Sequence, residues 1–512
     1  PFEFNYKKYL ASKSIVHQIV IDKEQFVKID STTSTLQGIA AKFRKKVNAA
    51  LKINGFSGNE LAVINALLLG QRQYISRDVL ENYAEAGAIH ILAVSGLHVG
   101  ILMLFLTYLF KPFTFFKNGK TYVLIITVVT LWLYAVVAGL SPSVVRAVTM
   151  FSFLSVGIVL KKQTNVYNTL SISFFVLLLI NPKYIFEVGF QMSYLAVFFI
   201  VWLQPKIAKL LRIKNWLLNK VWQLFTVSIA AQIGVLPISL YYFHQFPGLF
   251  FISNIVIVPF LGFILAFGVL VIILSLLNSL PQFIAKSYNV ILLSLNNFVE
   301  WIALQESFII RNISFSLSLL LLSYTIFILF FLYVETKKVK LLLISLSCVI
   351  IFQSVLFYEK YIIENSTEFV AFNKTKNTIL AIRNANSAVV YSNLDSIKSQ
   401  TYPLKPYLTE FQIDSIQHKN IPTFLPFNNE IILIVNERGI YNYTTLKPTI
   451  VMLRNSPKIN LERLITHLNP KLIIADASNY KSFVKRWRVS CIKKETPFYS
   501  TSQKGAFIKK MM

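Results

Sequence analysis

With 512 residues, 55% of them hydrophobic, a mean hydropathy of +0.57 and only 14% charged residues, the chain is too apolar for an ordinary soluble protein built on one core. Its apolar runs are long and continuous, which excludes a membrane β-barrel with alternating strands of roughly ten residues. The formal charge of +28 fits either a positive-inside membrane bias or a surface for polyanions, and two cysteines, Cys348 and Cys491, are too few for a disulfide scaffold or a thiolate cluster.

The chain starts at Pro1 with no basic stretch, short apolar core and cleavage site, so no signal peptide is expected and the start reads as that of a fragment. Residues 1–35 hold a tyrosine-bearing stretch and one strand-like stretch, 14–29, too little for an independent domain. Residues 36–87 read as amphipathic and lead-in helices: a basic stretch from Leu36, a helix over 60–69 and a polar connection over 71–85.

Ten apolar segments follow, at 88–110, 121–140, 142–160, 165–181, 186–203, 222–243, 249–277, 284–304, 315–334 and 341–358. The eighth carries Asn289, Asn296, Asn297 and Glu300 and also suits an interfacial helix; the seventh, interrupted by Asn254 and Pro259, also suits a broken or re-entrant one. Alternate connections carry Lys111, Lys117 and Lys120, then Lys161 and Lys162, then Lys206, Lys209, Arg212, Lys214 and Lys220, and finally Lys337, Lys338 and Lys340. These belong on the cytoplasmic side, which predicts ten crossings with residues 1–87 and 359–512 both outside.

The tail from about 366 alternates strands at 369–372, 378–382, 388–391, 431–435, 449–453 and 471–475 with helical patterns at 459–468 and 478–488, predicting a small α/β layered domain. A metal-activated hydrolase would need several close His and Asp ligands. Only His418 and His467 occur here, far apart, so no metal, no cofactor and no catalytic residue is expected. Two basic clusters lie outside the predicted membrane region and escape the positive-inside rule: Arg44, Lys45 and Lys46 with their neighbours, and Lys485, Arg486 and Arg488 in the tail. They suit a solvated or lipid-facing surface, or contact with nucleic acid.

The densest chemistry lies in His90-Ile-Leu-Ala-Val-Ser95-Gly96-Leu-His98-Val-Gly100, where two imidazoles and a hydroxyl open a membrane segment. Each unsatisfied polar group in hydrocarbon costs several kcal/mol, so such a segment marks a functional site by default. The bland alternative is a kinked helix whose histidines bond nearby carbonyls and whose glycines serve helix contacts. On a continuous helix His90 and His98 would lie roughly 80° apart and two turns from each other, able to line one cavity. Arg146, in Gly139-Leu-Ser-Pro-Ser-Val-Val-Arg146, is either snorkelling to outer headgroups or a permanently charged phosphate contact near the outer mouth. Gln191 and Ser193, Gln232 before Pro237, and Asn254 before Pro259 each suit interhelical hydrogen bonds or proline kinks. Together they suggest broken, polar helices around a conduction path.

At His90-Ile-Leu-Ala-Val-Ser-Gly-Leu-His98 the sequence resembles the ComEC family of competence membrane channels, which pass single-stranded DNA into transformable bacteria. Further blocks agree in order: Ala62 to Gly70 with Gly87-Ala-Ile, the Gly139 to Arg146 turn, Asn181-Pro182 with Gly189-Phe-Gln-Met-Ser193, and Leu236-Pro237 leading to Asn254 and Pro259. The resemblance spans roughly residues 1 to 305, with 88–305 as the competence membrane domain, 306–358 as additional membrane helices, and Phe4-Asn5-Tyr6 to Leu10 similar to the end of an oligonucleotide-binding fold lying upstream.

Residues 359–512, through Lys471-Leu-Ile-Ile-Ala-Asp476-Ala-Ser478-Asn479 and Gly505-Ala-Phe507, are similar to the end of the family's metallo-β-lactamase-like domain. The His-x-His-x-Asp-His run is absent, which implies a degenerate domain without nuclease activity. The resemblance implies a multi-pass protein of the bacterial inner membrane that handles single-stranded DNA among membrane lipids, with a DNA receptor outside and a helicase or motor in the cytoplasm as partners. No Gly-x-x-x-x-Gly-Lys-Ser/Thr loop is present for nucleotide hydrolysis of its own. The alternative from the residues alone is a transporter of a small anionic or lipid-linked substrate.

Overall fold

The computed structural model describes residues 10–11, 15–19, 21, 35–159, 165–394, 403–442 and 447–511. The chain divides into two compact units, Lys7–Arg311 and Asn312–Met512. The strand expected over 14–29 lies mostly outside the described residues; residues 15–19 and 21 have no regular structure.

In the first unit, α1 (Leu36–Ile53), α2 (Gly58–Leu69), α3 (Arg77–Glu85), α4 (Ile89–Leu92) and α5 (Gly96–Leu109) precede α6 (Gly119–Val137), α7 (Pro142–Val159), α8 (Val166–Ile180), α9 (Val188–Ala208), α10 (Trp216–Phe243), α11 (Phe250–Leu276) and α12 (Gln282–Ala303). Two short strands, β1 (Phe246–Pro247) and β2 (Ile309–Ile310), pair antiparallel beside them. The lead-in helix α2 is the centre of this unit's largest core: every residue from Leu61 to Leu69 is buried, against Ile257, Leu261 and Ile264 of α11 and Tyr288, Leu292 and Leu295 of α12. A helix apolar on all sides is stable only when wrapped by other helices. It ends at Gly70, φ +70°, where a Cβ would lie 2.5 Å from the Ala138 carbonyl oxygen, so a glycine is required twice over.

All ten apolar segments form helices, and among the described residues seven helices are long and apolar enough to cross a membrane. The three others are instructive. At about 1.5 Å per residue, α5 and α8 reach only ~21 and ~23 Å against a core of roughly 30 Å. Helix α12 buries one stripe, Tyr288, Leu292, Leu295 and Val299, while Lys286, Asn297 and Glu300 stay exposed, as an amphipathic helix requires.

The second unit starts with two membrane-type helices, α13 (Leu317–Thr336) and α14 (Val339–Glu364), which pair with each other and bury almost nothing else. Beyond them, β3 (Thr367–Ala371), β4 (Ile379–Asn384), β5 (Ser387–Ser392), α15 (Leu404–Glu410), β6 (Ser415–Lys419), β7 (Phe424–Phe427), β8 (Glu430–Val435), β9 (Ile450–Leu453), α16 (Leu461–Leu468), β10 (Leu472–Ala475), α17 (Lys481–Lys493), β11 (Phe498–Ser500), α18 (Thr501–Lys504) and β12 (Phe507–Met511) form two five-stranded sheets, ordered β12-β3-β4-β5-β6 and β11-β10-β9-β8-β7. Phe369, Leu380, Phe427, Ile432, Met452 and Ile474 interleave between the sheets. Helices α16 and α17 cover one outer face through Leu464 and Trp487, and α15 covers the other through Leu404 and Tyr407. This is a four-layer α/β/β/α sandwich, the layered domain expected from the tail, and all six strands read from its sequence are present.

Candidate anion site in the helical unit

Helix α4 stops at Leu92, residues Ala93 to Ser95 run extended, and the chain re-enters helix at Gly96. His90 and His98 therefore do not share one continuous helix, and the 80° separation expected for them does not apply. The break has a local cause. Ser95 is the N-cap of α5: its main-chain N–H donates to His98 Nδ1 at 3.3 Å, and its hydroxyl lies 3.0 Å from the same nitrogen. A histidine at the third helical position here takes the part of Glu or Gln in a capping box. Since Nδ1 accepts, the proton of the neutral ring is assigned to Nε2. His98 is 2% exposed, and Nε2 has no partner among the described residues.

The broken helix presents its N-terminus, the positive end of its dipole, at half-buried Gly96, with the His98 N–H already capped by the Ser95 hydroxyl. Against it lies Arg146 of α7: a Cβ on Gly96 would sit 2.7 Å from Arg146 Nη2, so only glycine leaves room for the guanidinium. Arg146 is 3% exposed, its Nε lacks a partner, and no carboxylate lies within ion-pair distance of it among the described residues. Its other neighbour is the ring of Tyr194 on α9, 5.5 Å from Cζ to centroid, a cation–π contact. Tyr194 is held in turn by Ser173 of α8, whose Oγ is 3.0 Å from the phenol oxygen, and by the rings of Phe174 and Phe190. One turn along α7, the hydroxyl of buried Thr149 also has no partner among the described residues.

Two positive features, a guanidinium and a helix N-terminus, thus meet in a buried place without an acid. Like charges so placed are stable with an anion between them, and a phosphate oxygen matches both kinds of donor. Snorkelling does not describe Arg146, whose side chain is enclosed by protein.

Of the residues singled out in the sequence, Ser95, Gly96, His98 and Arg146 come together. His90 is exposed on α4. Gln191 donates Nε2 to the Ile185 carbonyl at 2.7 Å, bracing the turn before α9, and Ser193 and Gln232 are half-buried on α9 and α10. Asn254 sits one residue beyond Ser253, whose hydroxyl donates to the Ala86 carbonyl at 2.6 Å; its own Oδ1 is buried without a partner among the described residues. Tyr194 and Ser173 were not singled out as site residues. A serine pair, Ser171 and Ser173, in the apolar run 165–181 is the signal for one, and a tyrosine closing Gly189-Phe-Gln-Met-Ser193 for the other.

The basic clusters divide. Arg44 donates Nη1 to the Val137 carbonyl at 2.8 Å, capping the C-terminus of α6, whereas Lys45 and Lys46 are exposed. On α17, Lys485 is exposed, Arg486 lies over the Phe483 ring at 4.9 Å, and Arg488 bonds Gln503.

The sandwich also carries a polar cluster at the carboxyl ends of β9 and β10. Asp476 Oδ2 accepts from Thr378 Oγ1, and Oδ1 accepts from the Ser478 amide at 3.1 Å, the Ser478 hydroxyl at 2.5 Å and Asn479 Nδ2 at 3.0 Å. Burial pushes the carboxyl up to about 6, partly offset by these bonds and by Arg454. Burial likewise lowers Arg454, opposed by Asp476 and Glu437. A zinc centre does not fit here: there is one carboxylate, already saturated with donors, and no three His, Cys, Asp or Glu side chains converge among the described residues. His418 lies on β6 and His467 is exposed on α16, each on a different layer.

Residues 67–337 match the competence-protein family, and residues 369–511 match the ComEC C-terminal domain. Over 295 residues the chain is 32% identical to the ComE operon protein 3 of Bacillus subtilis (strain 168), which covers 57% of this chain and 37% of that protein. No solved structure matches. The broken helix, its arginine partner and the sandwich tail all fall within the matched segments, and the chain belongs to the ComEC family of competence proteins.

Proposed function

We propose that the protein is an inner-membrane channel that carries single-stranded DNA into the cytoplasm during natural transformation. The observation that carries this reading is the buried, acid-free juxtaposition of Arg146, the N-terminus of α5 at Gly96 and the Tyr194 ring among the described residues. It offers a backbone phosphate a guanidinium and main-chain donors, and offers a base an aromatic face, the two things a moving single strand presents. His98 Nε2–H adds a neutral donor that contacts a phosphate without holding it as a lysine would. His90, Ser95, Gln191, Ser193, Gln232 and Asn254 line the remainder of the path, and Lys45, Lys46, Lys485, Arg486 and Arg488, with Arg44 beside them, gather DNA before entry. The membership of a competence-protein family and the similarity to ComE operon protein 3 support this over a small-anion transporter.

In this reading there are ten crossings, counting the broken α4–α5 segment and α12, with both soluble regions outside, a DNA receptor there and a helicase or motor in the cytoplasm. The sandwich domain supports structure or binds DNA without cleaving it. The test is transformation frequency in Arg146→Ala and His98→Ala variants, with membrane insertion checked by immunoblot of membrane fractions. Inserted variants should lose transformation by two orders of magnitude or more, on the scale of about 1–3 kcal/mol for each stacking or charged contact repeated along a strand. Normal uptake by an inserted Arg146→Ala protein refutes the site.

A further inference from the structure

A second positive place lies far along the chain from the first and is built differently. No Asp or Glu occurs between Glu187 and Glu300, so the α9–α10 hairpin carries its cations without acidic neighbours in sequence. At the turn between these two membrane helices, Lys209, Arg212 and Lys214 line an open cleft of about 480 Å³ together with Asn219 and Gln223 of α10. None of the three cations is within ion-pair distance of a carboxylate among the described residues. The cleft has a fixed floor: Asn215 Oδ1 caps the Leu218 amide at 3.1 Å, and Gln223 Oε1 accepts from Gln204 Nε2 of α9 at 2.7 Å.

What distinguishes this cleft from a plain basic turn is its rim. Leu210, Leu211, Trp216 and Leu217 are 74, 53, 72 and 61% exposed beside the cations. So much apolar surface at the end of two membrane helices meets acyl chains, and a tryptophan there sits at the headgroup level. The cleft is therefore amphipathic: three cations and two amides line it together with Leu211 and Ile213, and exposed Leu210, Trp216 and Leu217 extend the apolar surface on adjoining residues of the turn. Free phosphate would use only the polar groups, and a nucleic acid would lay charged backbone against the apolar surface.

We propose that this cleft binds the phosphate headgroup of an anionic phospholipid from the cytoplasmic leaflet, with the acyl chains lying along Leu210, Leu211, Trp216 and Leu217. The guanidinium of Arg212 takes two phosphate oxygens side by side, while Lys209 and Lys214 act as point charges. The cationic turn faces the cytoplasm by the same charge bias that orients the other lysine-rich connections.

The test uses the full chain in nanodiscs of phosphatidylcholine containing a small fraction of diphosphatidylglycerol, with retained lipid counted by native mass spectrometry. The wild type should retain diphosphatidylglycerol selectively. Replacing Lys209, Arg212 and Lys214 together by glutamine should weaken that retention on the order of 100-fold, at roughly five-fold per cation. Replacing Lys111, Lys117 and Lys120 by glutamine should leave it within two-fold. Equal loss in both triple variants, or none in the first, overturns the proposal.

Displacement of the lipid from the wild type by inorganic phosphate at equal phosphorus would assign a free-anion site instead. Displacement by a thymidine oligonucleotide would assign the cleft to the DNA path. Either result also overturns it. A photoactivatable diphosphatidylglycerol supplies an independent measurement on the unmodified protein: cross-links confined to residues 209–223 support the site, and cross-links elsewhere refute it.

Discussion

Removing one charge from the sandwich domain should destabilise it far more than removing two. Arg383 of β4 is 1% exposed and donates Nη1 to the carbonyls of Ile363, Ser366 and Ala385, at 3.0, 3.3 and 3.1 Å, and Nη2 to Ser366 Oγ at 2.8 Å. The guanidinium thereby clamps the end of α14 to the first strands of the sandwich. It lies 4.2 Å from the Phe411 ring centroid, and its Nε is 3.8 Å from the fully buried Glu368, which also accepts from Tyr407 Oη at 2.6 Å. Burial and the Glu368 charge push the Tyr407 hydroxyl up, so it stays a donor.

Arg383→Met keeps the apolar stem but removes the guanidinium, leaving Glu368 with only half-exposed Lys510, 3.5 Å away, and the Tyr407 hydroxyl, and three main-chain carbonyls short of a donor. Breaking a buried pair by removing one partner costs about 3–5 kcal/mol. Hydrogen exchange of the full chain in nanodiscs reads this directly, because the slowest amides of β3 and β4 report opening of the whole domain. Their protection should fall by roughly 10²- to 10³-fold, at about 1.4 kcal/mol per tenfold. Arg383→Met combined with Glu368→Leu removes both charges, and its loss should be at least ~2 kcal/mol smaller than the sum of the single variants. A single-variant loss below about 1 kcal/mol, or strict additivity, would refute the account of this network.

Asp476 gives a pH dependence of opposite sign to the usual acid loss. Its folded value of about 6 exceeds the ordinary value near 4, so the folded domain holds the extra proton between them and gains stability as the pH falls through that window. Exchange protection, corrected for intrinsic rates, should rise about tenfold, ~1.3 kcal/mol, from pH 7 to pH 5, and Asp476→Asn should abolish the rise; an unchanged slope in the variant would sink the assignment. Gly70→Ala puts a Cβ onto the Ala138 carbonyl at a positive φ, and should lower the melting temperature of the purified protein with a loss of about 1–3 kcal/mol. Gly96→Ala should instead leave folding nearly intact, since the long Arg146 side chain can shift, while displacing the guanidinium and lowering transformation of an inserted protein at least tenfold; unaltered transformation would show that the contact is dispensable.

The sequence by itself determined the elements whose signal is local. Twenty apolar residues in a row must be a helix in lipid, so the apolar segments were legible, and short β-branched runs such as Ile431 to Val435 were legible as strands. The oddity of His90 to Gly100 was legible too, because imidazoles in an apolar run conflict with burial. What the tertiary structure decided was everything set by partners distant in the chain. Strands β6, β7, β11 and β12 are short and weakly patterned, and form because an edge is offered to them; β12 pairs with β3 across more than 130 residues.

Helix α2 looked like a lead-in and proved to be a core, since a short apolar run does not say what will wrap it. The break at Ala93 to Ser95 follows from the capping of Ser95 by His98, a three-residue relation visible in the sequence only when helix is not assumed. That Gly96 makes room for Arg146, and Tyr194 faces it from a third helix, depended on packing alone: residues 50 and 48 positions apart meet because buried charge must find donors, rings or ions wherever the fold brings them.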